Sequence, residues 1–186
     1  MNKLFKLSLV AFAFLSANVA FGQMEKTVEV GGAPMYPSKN IVENAVNSAD
    51  HTTLVAAVKA AGLVETLQGK GPFTVFAPEN SAFEKLPKGT VETLLKPENK
   101  GQLTAVLTYH VVAGKMGSKE IADAIKKGNG KATLTTVQGG KLTAWMKGKD
   151  LYITDENGGQ SKVTIADVWQ SNGVIHSVDT VVLPKM

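Results

Sequence analysis

The chain has 186 residues, 44% of them hydrophobic and 19% charged, which suffices for one folded domain with a sizeable core and is far from the make-up of a disordered protein. Cysteine is absent, which excludes disulfides, zinc–thiolate centres and thiol nucleophiles together. All 20 basic residues are lysine, and a chain without arginine, whose formal charge of +4 falls to +2 without Lys3 and Lys6, is not built to read nucleic acid.

Residues 1–22 read as a secretory signal peptide. Lys3 and Lys6 precede an apolar run at 7–15 broken only by Ser8, and Ala20-Phe21-Gly22 places small residues at the two positions a signal peptidase tests. Cleavage after Gly22 is expected. The apolar run is short for a bilayer span, Asn18 interrupts its end, and no later segment approaches transmembrane length, so the processed chain is expected not to span a membrane. With no cysteine following the signal, a lipid anchor is not expected.

Residues 23–37 carry Gly31-Gly32, Pro34 and Pro37 and are expected to form a flexible leader, with Tyr36 docking first on a domain of residues 38–186. Ser38 is the expected N-cap of a helix whose Ile41, Val42, Ala45, Val46 and Ala49 recur at helical spacing. A second amphipathic helix begins at Thr53 and ends at Gly62, the place for a C-terminal glycine. After Gly71-Pro72, residues 73–77 read as a buried strand. Phe73, Val75 and Ala77 face one way and Thr74 and Phe76 the other, so both faces are apolar and the strand belongs in mid-domain. Pro78 ends it. Asn80 or Ser81 is the expected cap of a short helix that drops Phe83 into the core.

Leu103, Val106 and Leu107 form a helical stripe leading into Tyr109-His110-Val111-Val112, which reads as a strand. Ser118 is the expected cap of a helix carrying Ile121, Ala124 and Ile125 and closed by Gly128. Residues 132–183 favour short strands separated by glycine turns. Asn172-Gly173 reads as a positive-φ turn before a strand in which Val174, His176 and Val178 face one side and Ile175, Ser177 and Asp179 the other. Helices early and strands late imply an α+β domain.

Three segments, in order, resemble the fasciclin domain family. Gly71-Pro72-Phe73-Thr74-Val75-Phe76-Ala77-Pro78-Glu79-Asn80-Ser81-Ala82-Phe83 resembles its first signature, with Glu79-Asn80 where a Thr-Asp or Thr-Asn pair is common. Tyr109-His110 with Val111-Val112 resembles its central motif. Asn172-Gly173-Val174-Ile175-His176-Ser177-Val178-Asp179-Thr180-Val181-Val182-Leu183-Pro184 resembles its closing signature. The resemblance implies a β-sandwich or wedge of about seven strands flanked by several helices, in a secreted or surface-held protein that mediates adhesion or protein–protein contact. It also implies that Tyr109, His110, Val111 and Val112 shape a partner-binding region. Phe73, Thr74, Phe76, Ala77, Pro78, Asn80, Phe83, Asn172, Gly173, His176 and Asp179 are expected to be mainly structural.

His51, His110 and His176 are the three histidines available to an enzyme. His176-Ser177-Val178-Asp179 invites a Ser-His-Asp reading, but strand alternation sends His176 and Ser177 to opposite faces, and Ser81 has no nucleophile elbow around it. Nothing in the spacing of His110, His176 and Asp179 builds a metal site. Asp155-Glu156-Asn157-Gly158 is a fragment of a calcium-loop pattern and reads as a solvated turn. Trp145 and Trp169 lie in strand segments, where core packing is the default and exposure of either would mark a contact surface.

The expected protein is therefore non-catalytic and without a cofactor. Its expected partner is an extracellular or envelope protein or a surface polymer, met as a monomer or weak homo-oligomer. A carrier of a small lipid-like ligand is the alternative, ahead of a hydrolase.

Overall fold

The computed structural model describes residues 25–185, so residues 1–22, where a signal peptide is expected, lie outside the described residues. Among the described residues, nine strands and seven α-helices follow in chain order. The strands are β1 (Val28–Val30), β2 (Ala33–Met35), β3 (Phe73–Pro78), β4 (Val111–Ala113), β5 (Lys131–Thr135), β6 (Lys141–Lys147), β7 (Asp150–Thr154), β8 (Gln160–Gln170) and β9 (Gly173–Val178). The helices are α1 (Ile41–Ala45), α2 (Thr52–Ala61), α3 (Val64–Gln68), α4 (Asn80–Glu84), α5 (Thr90–Leu94), α6 (Lys100–Tyr109) and α7 (Ser118–Lys127).

Seven strands form one sheet in the order β4-β3-β9-β8-β7-β6-β5, as the α+β reading with about seven strands requires. β3 and β9 pair in parallel, with Phe76 opposite His176, and every other neighbouring pair is antiparallel. The sheet curls until its ends nearly meet: Val112 bridges Thr136, and the Val137 N–H donates to the Val111 carbonyl at 2.7 Å.

The apolar alternation of β3 builds two cores. Val75 and Ala77 join Ile175, Val168 and the apolar sides of α1, α2, α3 and α6 on one face. Phe76 faces the interior of the curled sheet, among Leu142, Ile153, Val163 and Val178, where Ile121 and Ile125 of α7 close the end. On β5 and β6 alternate residues point into that interior or out to solvent.

Several local expectations change. Residues 28–35, expected within a flexible leader, form an antiparallel hairpin whose Val30 and Met35 are buried in the helical core. Gly31 and Gly32 take positive φ and serve as its turn. The cap of α1 is Asn40, not Ser38: its side chain accepts from the Val42 and Glu43 N–H groups while Glu43 reaches back to the Asn40 N–H. Tyr109 ends α6 and His110 caps it, so the strand starts at Val111. Ser118 opens α7 without capping it; Gly117 is the cap residue. β9 stops at Val178; the Asp179 N–H still donates to the Lys162 carbonyl at 3.1 Å, and side chains hold the residues that follow. Ser161 Oγ donates to the Thr180 carbonyl, and the Leu183 N–H donates to Asp155 Oδ2.

Candidate interaction surface

Tyr109, His110, Val111 and Val112 are 0, 2, 6 and 4% exposed, so a partner would have to enter the core to touch these side chains. Their contacts are internal. The Tyr109 hydroxyl donates to the Lys141 carbonyl at 2.7 Å and accepts from the Glu156 N–H at 3.2 Å, which ties α6 to the β5–β6 and β7–β8 turns. Burial pushes its pKa up to about 12.

His110 Nδ1 lies 2.8 Å from the Val106 carbonyl, and the Val182 N–H donates to Nε2 at 3.2 Å. A carbonyl only accepts, so Nδ1 carries the proton and the ring is neutral. Burial lowers its pKa to about 4. His110 thus joins the end of α6 to the C-terminal segment.

The family-motif residues do similar work. Asn80 does not cap its own helix. Its Oδ1 accepts from the Thr53 N–H at 3.0 Å and its Nδ2 donates to the Ala49 carbonyl, so it caps α2 from across the fold. Asn172 and Gly173 make no positive-φ turn. Asn172 Oδ1 accepts from the Ile41 N–H, and its Nδ2 donates to the Leu67 and Gly69 carbonyls, at 2.8–3.0 Å. Glycine is needed at 173 because a β-carbon there would lie 2.2 Å from the Phe73 carbonyl oxygen. Phe73 and Phe83 are half-buried against the helical core, Phe76 stacks on His176, Ala77 is buried there too, and Pro78 pairs with Val178 at the end of β3.

The residues of the apparent triad part company. Asp179 accepts from the Lys162 N–H at 2.9 Å and pairs with Lys85 at 3.3 Å. Desolvation would raise its pKa, but those hydrogen bonds and the lysine outweigh it and hold it below the usual value. Ser177 instead lies 3.4 Å from Nε2 of His51, whose Nδ1 meets Ser48 Oγ at 2.9 Å. Periodicity gave no sign of this contact. All three are buried, and desolvation lowers the His51 pKa. Asp155 is also internal: its Oδ1 accepts from the Asn157 and Gly159 N–H groups, so the oxygen-rich turn closes on itself. Among the described residues no cluster of histidine and acidic side chains has metal-site geometry.

Trp169 differs from all of these. It is 38% exposed, so core packing does not describe it. Lys115 places its ammonium 5.1 Å from the indole centroid and donates to the Gln170 carbonyl at 3.1 Å. Gly117 lies so close beneath that a β-carbon there would sit 2.8 Å from the ring.

The segment carrying Lys115 and Gly117 is clamped from inside. The Thr74 hydroxyl donates to the Gly114 carbonyl at 2.7 Å and accepts from the Met116 N–H at 2.9 Å. His176 Nε2 donates to the Met116 carbonyl at 2.9 Å, while its Nδ1 accepts from the Asp167 N–H at 3.3 Å. Burial lowers the His176 pKa, which keeps the ring neutral. Asp167 stands at φ +60°, where β8 loses register with β9, and its carboxylate accepts from the Ser118 N–H and hydroxyl. Thr74 and His176, one from each terminal signature, therefore hold from below the loop that frames Trp169.

The fasciclin domain family model matches residues 49–184. The chain belongs to the fasciclin domain family. It is 43% identical over 182 residues to protein sll1483 of Synechocystis sp., covering 96% of this chain and 94% of that protein. It is 34% identical over 145 residues to immunogenic protein MPB70 of Mycobacterium bovis, covering 75% of this chain and 66% of that one. Among solved structures, the FAS1 domain pair of the insect cell adhesion molecule fasciclin I aligns with a TM-score of 0.70 at 15% identity, over 86% of this chain and 58% of that chain. That likeness establishes the shared fold. In this fasciclin domain Phe76, Tyr109, His110 and His176 are buried, and among the described residues no helix is long and apolar enough to cross a membrane.

Proposed function

We propose that this fasciclin domain is an exported, non-catalytic adhesion or protein–protein interaction module, and that it meets a protein partner through Trp169 and the loop at 114–118. The observation that carries the reading is the exposed indole held between Lys115 and Gly117 above a buried hydrogen-bond clamp. A large aromatic side chain fixed before binding loses little freedom on contact, and such residues dominate binding energy at protein interfaces. Family membership, and the shared fold of fasciclin I, an insect cell adhesion molecule, support the same class of function.

The test is lysine-directed crosslinking of the tagged protein in its own cell envelope and culture fluid, read by mass spectrometry. The reading expects a reproducible partner crosslinked at Lys115, and its loss in Trp169→Ala. Partner crosslinks that avoid Lys115 and survive that substitution would sink it. Export is tested separately by intact mass of the exported protein, which should begin at Gln23; retention of Met1 would refute the cleavage.

A second reading, a carrier of a small apolar ligand, has one observation in its favour. A cavity of about 80 Å³ lies between the helices and the sheet, lined by Met35, Leu54, Val58, Val75, Val111 and Ile175 among others. It is smaller than the cavity of about 150 Å³ known to admit benzene, so it suits a packing void or a very small guest rather than a lipid chain.

A further inference from the structure

The outer face of β5, β6, β7 and β8 carries a second pattern. Cross-strand register places Lys131, Trp145, Tyr152 and Lys162 in one row, side by side across four strands. The next row is Thr133, Thr143, Thr154 and Gln160. Cross-strand partners share a face, and none of these eight side chains is buried. Hydroxyls and an amide thus form a line beside an aromatic pair that has a lysine at each end.

The aromatic pair is fixed. The Trp145 and Tyr152 rings stack with centroids 4.8 Å apart, and the indole N–H donates to Thr154 Oγ1 at 2.9 Å. That hydrogen bond leans the indole over the polar row. There a surface concavity of about 380 Å³ is lined by Lys131, Thr143, Trp145, Thr154 and Gln160. It is a shallow, open concavity whose walls are polar and aromatic rather than aliphatic.

Charge on this face is mainly basic. Lys141 and Lys147 join Lys131 and Lys162 by register, while the acids, Asp150 engaged by Lys162 at 2.8 Å, Asp179 beside Lys162 and Glu79 bonded to Thr164, gather on the β7–β8 side, away from Lys131 and Lys141. Lysines supply point charges on flexible stems, which suit anionic groups spaced along a polymer rather than one oxyanion gripped in a bidentate fork. An indole wall offers a surface for the C–H face of a sugar ring, and threonine and glutamine supply groups that both donate to and accept from sugar hydroxyls.

We infer that this face binds an acidic polysaccharide, one whose sugars carry carboxylates, with one sugar ring seated in the concavity against Trp145 and flanking carboxylates on Lys131 and Lys141. The inference rests on the reading of the chain as an interaction module and names a polymer partner for it. The face lies away from Trp169, which sits at the other end of β8 beyond its two register shifts.

The test is isothermal titration of the purified protein with polygalacturonate, alongside dextran as a neutral polymer and single-stranded DNA as a polyanion without sugar carboxylates. Wild type should bind polygalacturonate with a salt-weakened affinity, exceed its affinity for DNA, and ignore dextran. Trp145→Ala should weaken binding by about tenfold or more, and Lys131→Gln with Lys141→Gln should weaken it and flatten its salt dependence. Thr154→Val keeps the shape of the row and should weaken binding while the melting temperature shows the fold intact. Trp169→Ala should bind the polymer as wild type does, so loss of the protein partner and loss of the polymer are separable. No binding to polygalacturonate, equal binding to DNA or dextran, or full binding by Trp145→Ala and Thr154→Val would each overturn the inference.

Discussion

His176 has no exposed surface, yet its Nε2–H reaches the Met116 carbonyl at 2.9 Å and so fixes the loop that frames an exposed tryptophan. The ring also accepts the Asp167 N–H, which holds the irregular turn of β8 beside that loop. A buried side chain of the closing signature thereby fixes the position of a surface loop.

His176→Phe keeps a flat aromatic ring, somewhat larger than imidazole, and removes both hydrogen bonds. The Met116 carbonyl and Asp167 N–H then lose their partner, which costs about 1–3 kcal/mol for each buried group left unpaired. The expected result is a lower melting temperature together with altered Trp169 fluorescence, measured in a Trp145→Phe background so that a single indole reports. Unchanged emission would show that the clamp does not govern the surface.

The buried histidines set an acid limit. The His110 pKa falls from 6.5 to about 4 on folding. Below pH 6.5 the unfolded chain takes up a proton that the folded chain refuses, so stability falls as pH drops toward about 4 and then levels for this group. The shift corresponds to about 3 kcal/mol in all. His51 and His176, lowered by the same burial, add to the slope. Asp179 continues the loss below 3.8, because its folded pKa lies under that value. Urea unfolding between pH 7.5 and 4 reads this directly, and a flat profile would contradict neutral buried histidines.

Tyr109→Phe removes one hydroxyl that serves both the Lys141 carbonyl and the Glu156 N–H. A loss of about 1–3 kcal/mol is expected, with the secondary structure retained. Chemical denaturation measures it. A loss near zero would mean that water replaces the hydroxyl.

Asn80→Ala removes the cap that Asn80 supplies to α2 from outside that helix. The expected cost is about 1 kcal/mol, with faster amide exchange at Thr53 and Leu54. Exchange increased instead at α4 would restore the local cap that the sequence suggests.

Elements set by nearest neighbours were legible in the sequence. β3 was, because apolar residues on both faces of 73–77 suit only a strand between two cores, and Gly62 marked the end of α2 with its positive φ. The short strands and glycine turns expected across residues 132–183 are present as β5 to β9. Positions set by distant partners were not. The His176–Met116 contact spans 60 residues and Asn172 to Ile41 spans 131, and no spacing rule relates them. The glycines and proline at 31–34 suggested mobility, yet Val30 and Met35 supply the apolar surface that docks the hairpin. The exposure of Trp169 was hidden because the register shifts of β8 turn its far end out of plain alternation.

The most direct test of the central claim compares Trp169→Ala with Tyr109→Phe in partner crosslinking, with melting curves beside them. Trp169→Ala should lose the partner while its melting temperature drops by no more than about 4 °C, since the residue is 38% exposed. Tyr109→Phe should melt earlier yet keep the partner wherever it remains folded. The reverse pattern, a folded Tyr109→Phe without its partner and a Trp169→Ala that retains it, would return recognition to the buried motif and contradict the account.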